Sequence, residues 1–281
     1  MEWDKHRLEF GARTLLMGIV NMTPDSFAGD GLRGDVEAAV DQAQCFAAEG
    51  ADIIDVGGES TRPEAERVSA EEQIERTVPA IRAMAAELDL PISIDTTRAG
   101  VAEAALEGGA AIINDISALR DDPDMARLAA ERGVPVVLMH MQGTPATMQQ
   151  EPRYDDVVGE IAQFLGERID HAVKAGIDRE RIIVDPGIGF GKTVEHNCEI
   201  LRRLGELRRL RRPLLVGTSR KSVVRLTLRS AEPSDLLAGT AATIAIAIHN
   251  GADIVRVHDV AHLQPVARMA DAIAHSHGGA T

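Results

Sequence analysis

PVVLMH, residues 135–140, is a short apolar run opened by a proline and closed by a histidine. A run this short and this apolar suits a strand buried on both faces, although periodicity alone leaves a buried helical segment open. Working outward, the same form recurs seven times. LLMGIV leads to Asn21, DIIDV to Gly57, PISI to Asp95 and AAII to Asn114, and beyond the starting run RIIV leads to Asp185, PLLV to Gly217 and DIVRV to His258. Helix-forming sequence separates the runs. Eight strands alternating with helices predict an α/β chain folded as one (β/α)8 TIM barrel, in which the C-terminal ends of all strands meet at one mouth. Asn21, Glu59, Thr61, Asp95, Asn114, His140, Asp185, Lys221, Arg256 and His258 are then expected to converge there.

The 281 residues fit one such barrel, and the strand-helix rhythm runs from end to end, so a single domain over residues 1–281 is expected. The start, HRLEFGARTLL, reads as a strand or hairpin that closes the barrel floor. No signal-peptide core and no apolar stretch of about twenty residues is present, which argues against membrane or export and for a soluble cytoplasmic protein. Cys45 and Cys198 are the two cysteines, without metal-ligand spacing, and read as core thiols in a reducing compartment. A net charge of −14 disfavours nucleic acid, whose phosphates need a basic stripe. Aromatic residues make up only 2% of the chain, too few for a base-stacking platform.

Asp35 can cap a helix in which Val36, Ala39, Val40, Ala43 and Phe46 recur at helical spacing before Gly50. Ser234 similarly precedes Leu236, Leu237, Ala241, Ile244, Ala245 and Ile248, with Asn250 and Gly251 to end the helix. That second helix is apolar on more than one face. Tight packing on the barrel explains this about as well as a subunit interface does. Three strand-to-helix connections, 21–34, 57–69 and 141–154, exceed the usual two to six residues and read as lids or clamps at the catalytic face.

PGIGFGKT, residues 186–193, ends like a phosphate loop, but Pro186 stands where that loop needs its first glycine, and GxGxxG does not fit either. Its glycines are expected instead to let the backbone approach a ligand after the sixth strand, with Phe190 presenting an aromatic face. No HExxH, no clustered His/Cys site and no Ser-His-Asp order stands out, so covalent and transition-metal catalysis are weak hypotheses.

Two polar groups remain. Asp95, Asn114 and Asp185 suit a flat heterocycle bearing adjacent N–H donors and a carbonyl, unless each merely caps a helix or bonds a loop. Arg62, Arg220, Lys221, Arg256 and His258, set against an acidic background, suit phosphate or diphosphate, with Asn21 and Thr61 as uncharged oxygen donors. Ion pairing with Glu59, Asp55 or Asp259 is the competing explanation. Magnesium fits such an anion site, because it keeps waters and takes few protein ligands.

Eight segments together resemble the dihydropteroate synthase family, the target of sulfonamides. They are MGIVNMTPDSF (17–27), DVGGESTRP (55–63), SIDTT (93–97), INDIS (113–117), MHMQGTPATMQ (139–149), VDPGIGFGKTVEHN (184–197), GTSRKS (217–222) and RVHDV (256–260), spanning nearly the whole chain. The resemblance implies a transferase of folate biosynthesis that joins a (7,8-dihydropterin-6-yl)methyl diphosphate to 4-aminobenzoate, releasing diphosphate. Carried over by motif, Asp95, Asn114, Met139, Asp185, Gly217 and Lys221 hold the pterin. Asn21, Thr61, Arg62, Arg256 and His258 hold diphosphate, with Asn21 also on magnesium. Thr61, Arg62, Pro63, Phe190, Lys221 and Ser222 border the aminobenzoate, and Asp95, Lys221, Arg256 and His258 carry the chemistry. Family habit also implies a homodimer paired through late helices.

Glu64 follows STRP where the family usually has glycine, and Val223 and Val224 follow SRKS where an aromatic and an aliphatic residue, often with glycine next, are common. These departures flank the aminobenzoate rather than the pterin. Two alternatives share the pterin pocket. A methyltetrahydrofolate-type methyltransferase would not need the SRK and RVH cations, and a non-catalytic pterin-binding paralogue would not need both residue sets.

Overall fold

A computed structural model describes residues 1–23, 31–32, 34–60, 67–145 and 147–274. The chain opens with an antiparallel hairpin, β1 (Glu2–Trp3) and β2 (His6–Arg7), one turn ahead of where the sequence places it. Eight parallel strands follow: β3 (Leu15–Asn21), β4 (Ile53–Gly57), β5 (Ile92–Asp95), β6 (Ile112–Asp115), β7 (Val136–Met139), β8 (Ile182–Asp185), β9 (Leu215–Val216) and β10 (Ile254–Val257). Pairing runs in chain order from β3 to β8, and β10 lies between β9 and β3. A parallel bridge from Val184 to Leu214 joins β8 to the approach of β9 and completes the ring. The sequence-predicted barrel is therefore present, strand for strand.

Nine helices among the described residues form the outer layer: α1 (Val36–Ala48), α2 (Ala70–Glu87), α3 (Ala99–Gly108), α4 (Met125–Arg132), α5 (Val157–Lys174), α6 (Val194–Arg202), α7 (Ser222–Leu228), α8 (Pro233–His249) and α9 (Val260–Ala274). Asp35 caps α1 as expected, its carboxylate accepting from the Ala38 N–H, and Ala39, Val40, Ala43 and Phe46 are buried. In α8 the first turn is set by Pro233 rather than by Ser234, and Glu232 holds the cap position without a side-chain bond. Proline's fixed φ pre-forms that turn, so a hydroxyl cap is not required. Both cysteines are exposed, a correction to their reading as core thiols. On α1 the barrel-facing stripe passes through Ala43 and Phe46 and leaves Cys45 outside. No described helix is long and apolar enough to cross a membrane.

Side chains on a strand alternate between faces, and here the alternation divides each strand twice. Residues such as Leu16, Val20, Ile54, Ile94, Ile113, Leu138, Val184 and Val255 face outward and pack under the helices. Their inward neighbours near the strand starts, Leu15, Met17, Ile53, Ile112, Val137, Ile183, Leu215 and Ile254, form a separate apolar floor. Trp3 and Leu8 of the N-terminal segment close that floor from below, and the Trp3 indole donates to the Ala111 carbonyl at 2.8 Å. Two residues further along, the inward positions become Ile19, Asp55, Asn114, Met139, Asp185, Gly217 and Arg256, with Asp95 two beyond Ser93. The same two-residue step that builds a dry floor thus delivers a polar layer above it.

Candidate active site

A cavity of about 420 Å³ opens at the C-terminal end of the barrel. Its lining includes Asn21, Asp95, Phe190, Gly217, Lys221, Ser222, Arg256 and His258, eight of the residues named from sequence. Asn114, Met139 and Asp185 are buried in the adjoining layer, with Asn114 in register beside Asp95 and Asp185 beside Met139. Thr61, Arg62, Pro63 and Glu64 lie outside the described residues, as does most of the first two long loops.

The centre of the site is an arginine held between two carboxylates. Arg256 reaches Asp55 at 2.6 Å and Asp95 at 2.9 Å, and the Asn114 amide donates to Asp55 at 3.3 and 3.4 Å. Asp55 is fully buried, so its charge depends on these partners. Burial pushes the Asp95 carboxyl up to about 7, with Arg256 opposing the shift and Asp55 adding to it. Burial likewise raises the Asp185 pKa, against the pull of Lys221 and the Gly187 N–H that Asp185 accepts at 2.6 Å. Lys221 is lowered to about 8 by burial, although Asp185 attracts a proton to it. Its ammonium donates to the Ile188 carbonyl at 2.7 Å and sits 4.7 Å from the Phe190 ring centre, within cation–π range. One wall of the site therefore presents two buried carboxyls raised above their ordinary range, Asp95 to about 7, and the other an ammonium over an arene.

His258 and Ser219 form the opposite rim, with His258 Nδ1 and Ser219 Oγ 2.9 Å apart. Arg220 pairs with Asp259, its Nε at 3.1 Å, so the ion-pair explanation holds for Arg220 and in part for Arg256. Glu59 lines the cavity but binds the Val68 N–H and the Gln73 amide, each at 3.0 Å, and so braces the start of α2.

Two sequence readings are corrected here. His140 does not reach the mouth: it is buried, packs edge-on against Phe164 with ring centres 4.9 Å apart, and burial lowers its pKa to about 2. The glycines at 187 and 191 approach a neighbouring loop rather than a ligand. A β-carbon on Gly187 would lie 2.0 Å from the His140 carbonyl oxygen, and one on Gly191 2.7 Å from that of Gln142. Lys192, the lysine of the false phosphate loop, is buried and pins this junction. Its ammonium donates to the Gly187 and Phe190 carbonyls at 2.9 and 2.8 Å and lies 3.0 Å from His140 Nδ1. Phe190 is thereby fixed beneath Lys221.

The third long loop folds over the same corner. Met148 packs with Ile116, Met139, Met141 and Phe190, and the Gln149 amide donates to the Gly189 carbonyl at 2.9 Å. Asp55, Ser219 and Lys192 are contributors that sequence reasoning did not assign to the site. Asp55 carried a signal: it stands two residues beyond a floor residue, as Asn114, Asp185 and Arg256 do.

The sequence pattern of the pterin-binding enzymes matches residues 17–258. The chain is 49% identical over 265 residues to a dihydropteroate synthase of Synechocystis, covering 94% of this chain and 92% of that one. Its fold is similar to that of the Yersinia pestis dihydropteroate synthase solved as a sulfonamide drug complex, with a TM-score of 0.90, 42% identity, and 93% and 94% of the two chains covered. It is also similar to the Xanthomonas albilineans enzyme solved with 4-aminobenzoic acid, with a TM-score of 0.85, 43% identity, and 94% of each chain covered.

Proposed function

The chain belongs to the pterin-binding enzymes and, within them, to the dihydropteroate synthases, transferases of folate synthesis, and on that premise we propose a role for each part of its site. The substrates are a dihydropterin methyl diphosphate and 4-aminobenzoate. Asn114, Asp185 and Lys221 bind the pterin edge, Met139 and Gly217 border its ring, and Asp95 faces the ring. Arg256, His258 and Asn21 take the diphosphate, with Thr61 and Arg62 joining from the second loop. Phe190, Ser222 and Pro63 border the aminobenzoate.

The C–O bond to diphosphate breaks first, leaving positive charge on the pterin methylene that the Asp95 carboxylate stabilises. The aryl amine nitrogen then forms the new C–N bond and releases a proton to water. No side-chain nucleophile is needed, since the residues supply orientation and charge. Magnesium fits this donor set. Asn21 offers one amide oxygen at the cavity, and no group of three His, Cys, Asp or Glu among the described residues forms a closed metal cage. Asn21 would hold the ion, which would neutralise the leaving diphosphate when bound.

The observation that carries this reading is the Asp55–Arg256–Asp95 cluster with Asn114 alongside it, between a dry floor and an open cavity. Incubating the protein with magnesium, the pterin diphosphate and 4-aminobenzoate tests it directly. Dihydropteroate and diphosphate are expected in equal amounts, and their absence would reject the assignment.

A pH profile follows from the same charges. Asp95 acts as a carboxylate and is held up to about 7, while Lys221 acts as an ammonium and is held down to about 8. The value of kcat/KM is expected to rise through the first and fall through the second, as a narrow bell whose limbs belong to the coupled pair. Lys221→Arg should carry the alkaline limb upward. A flat profile between pH 6 and 9 would remove both assignments.

We also propose a cytoplasmic homodimer. Ile246 on α8 and Met269 on α9 are 49% and 62% exposed, and Ala238 and Ala242 continue the same open stripe of α8. An uncovered apolar face on neighbouring helices suits a two-fold contact. Light scattering at micromolar concentration is expected to give about twice the chain mass. Ile246→Glu should then give a monomer, and a wild-type monomer would leave this face unexplained.

A further inference from the structure

Ser222, Arg225 and Leu226 stand three and four residues apart on α7, share one helical face, and all line the cavity. The other face buries Val223 and Val224. The exposed face carries Ser222, which together with Phe190 was assigned to the aryl amine. Every other lysine or arginine lining the cavity has a partner: Arg256 has Asp55 and Asp95, Arg220 has Asp259, and Lys221 has the Ile188 carbonyl. Arg225 is exposed and has neither an acid nor a carbonyl partner among the described residues. In a chain of net charge −14, a cation at the cavity rim without an acidic partner among the described residues offsets a field that otherwise repels anions.

We propose that Arg225 selects the second substrate by charge. Its guanidinium pairs with the carboxylate of an aryl amine seated beside Ser222, and Leu226 borders the aryl edge. The inference rests on the condensation described above. In a para-substituted ring the carboxylate and the attacking nitrogen lie at opposite ends, so Arg225 governs which acceptor is held and not how the bond forms. The site should therefore prefer carboxylated aryl amines to neutral ones of the same shape.

Steady-state kinetics of Arg225→Ala and Arg225→Lys, with 4-aminobenzoate and the uncharged 4-aminobenzamide as acceptors, test this. Arg225→Ala is expected to raise KM for the acid by about three- to fivefold, the upper part of the range for an exposed ion pair, and to leave the amide's KM in place. Arg225→Lys should recover most of the loss. Added salt should shrink the wild type's preference for the acid and leave that of Arg225→Ala as it was. Equal shifts for both acceptors, or no shift for either, would overturn the role of Arg225 while leaving the condensation intact. No product from the wild type with either acceptor would instead reject the condensation, and the charge selection with it.

Discussion

Asp95→Asn and Lys221→Ala are each expected to lower turnover by about a hundredfold or more, the scale seen when a preorganised charge is removed from a developing one, while circular dichroism stays that of the wild type. The chemical loss follows from position. Asp95 and Lys221 both line the cavity, and the proposed cation forms between them. Preservation of the fold follows from the direction of their pKa shifts. Folding raises Asp95 to about 7, so above that pH its ionised form works against stability, and asparagine removes that cost. Folding lowers Lys221 to about 8, so below that pH its charged form works against stability, and alanine removes that cost too. Wild-type rates from either variant would take that residue out of the mechanism. Loss of both rate and helicity would mean that the site and the packing cannot be separated.

Arg256→Met should behave differently, losing activity and stability together. Asp55 is fully buried, and its ionic partner is Arg256. Breaking a buried pair from one side costs about 3 to 5 kcal/mol, because the remaining charge is left unpaired in a poor dielectric. Asp95 contributes less to that cost, since it can take a proton near neutrality. The double variant Asp55→Asn/Arg256→Met removes both charges and is expected to regain most of the lost stability while staying inactive. Denaturant titrations of the two variants give the comparison. If the single variant unfolds at the wild-type midpoint, Asp55 is not held by Arg256, and the electrostatic centre described here is wrong.

The contrast shows what the chain makes legible. Each barrel strand could be read because a run such as PVVLM or RIIV is apolar throughout and ends on a polar residue, and that ending also marked Asn21, Asp95, Asn114 and Asp185. The inward step of two residues then identifies Asp55 in retrospect. Other features depend on which loops meet. The Arg256–Asp55 pair spans 201 residues of sequence, and the Lys192–His140 contact spans 52. Neither separation has a local signature. His140 looked like a rim residue because it follows a strand directly, but the alternation that sends Leu138 outward and Met139 inward sends His140 outward, under α5, toward Phe164 and Lys192. Gly187 and Gly191 signalled a close approach correctly and only their partner was misread, whereas Gly189 lines the cavity. Cys45 was assigned to the interior by residue type, whereas its place on the helical wheel puts it outside.

The chain has one tryptophan, and it lies beneath the barrel rather than at the mouth. Its indole is enclosed by the floor and bonded to the Ala111 carbonyl, on the side of the strands opposite the Asp95 cavity. Emission from Trp3 is thus an optical gauge of the floor alone, whereas product formation gauges the mouth alone. The two ends of the same eight strands can be followed separately in one solution, so a variant that has lost its chemistry is told apart from one that has lost its shape without a second label or a second sample.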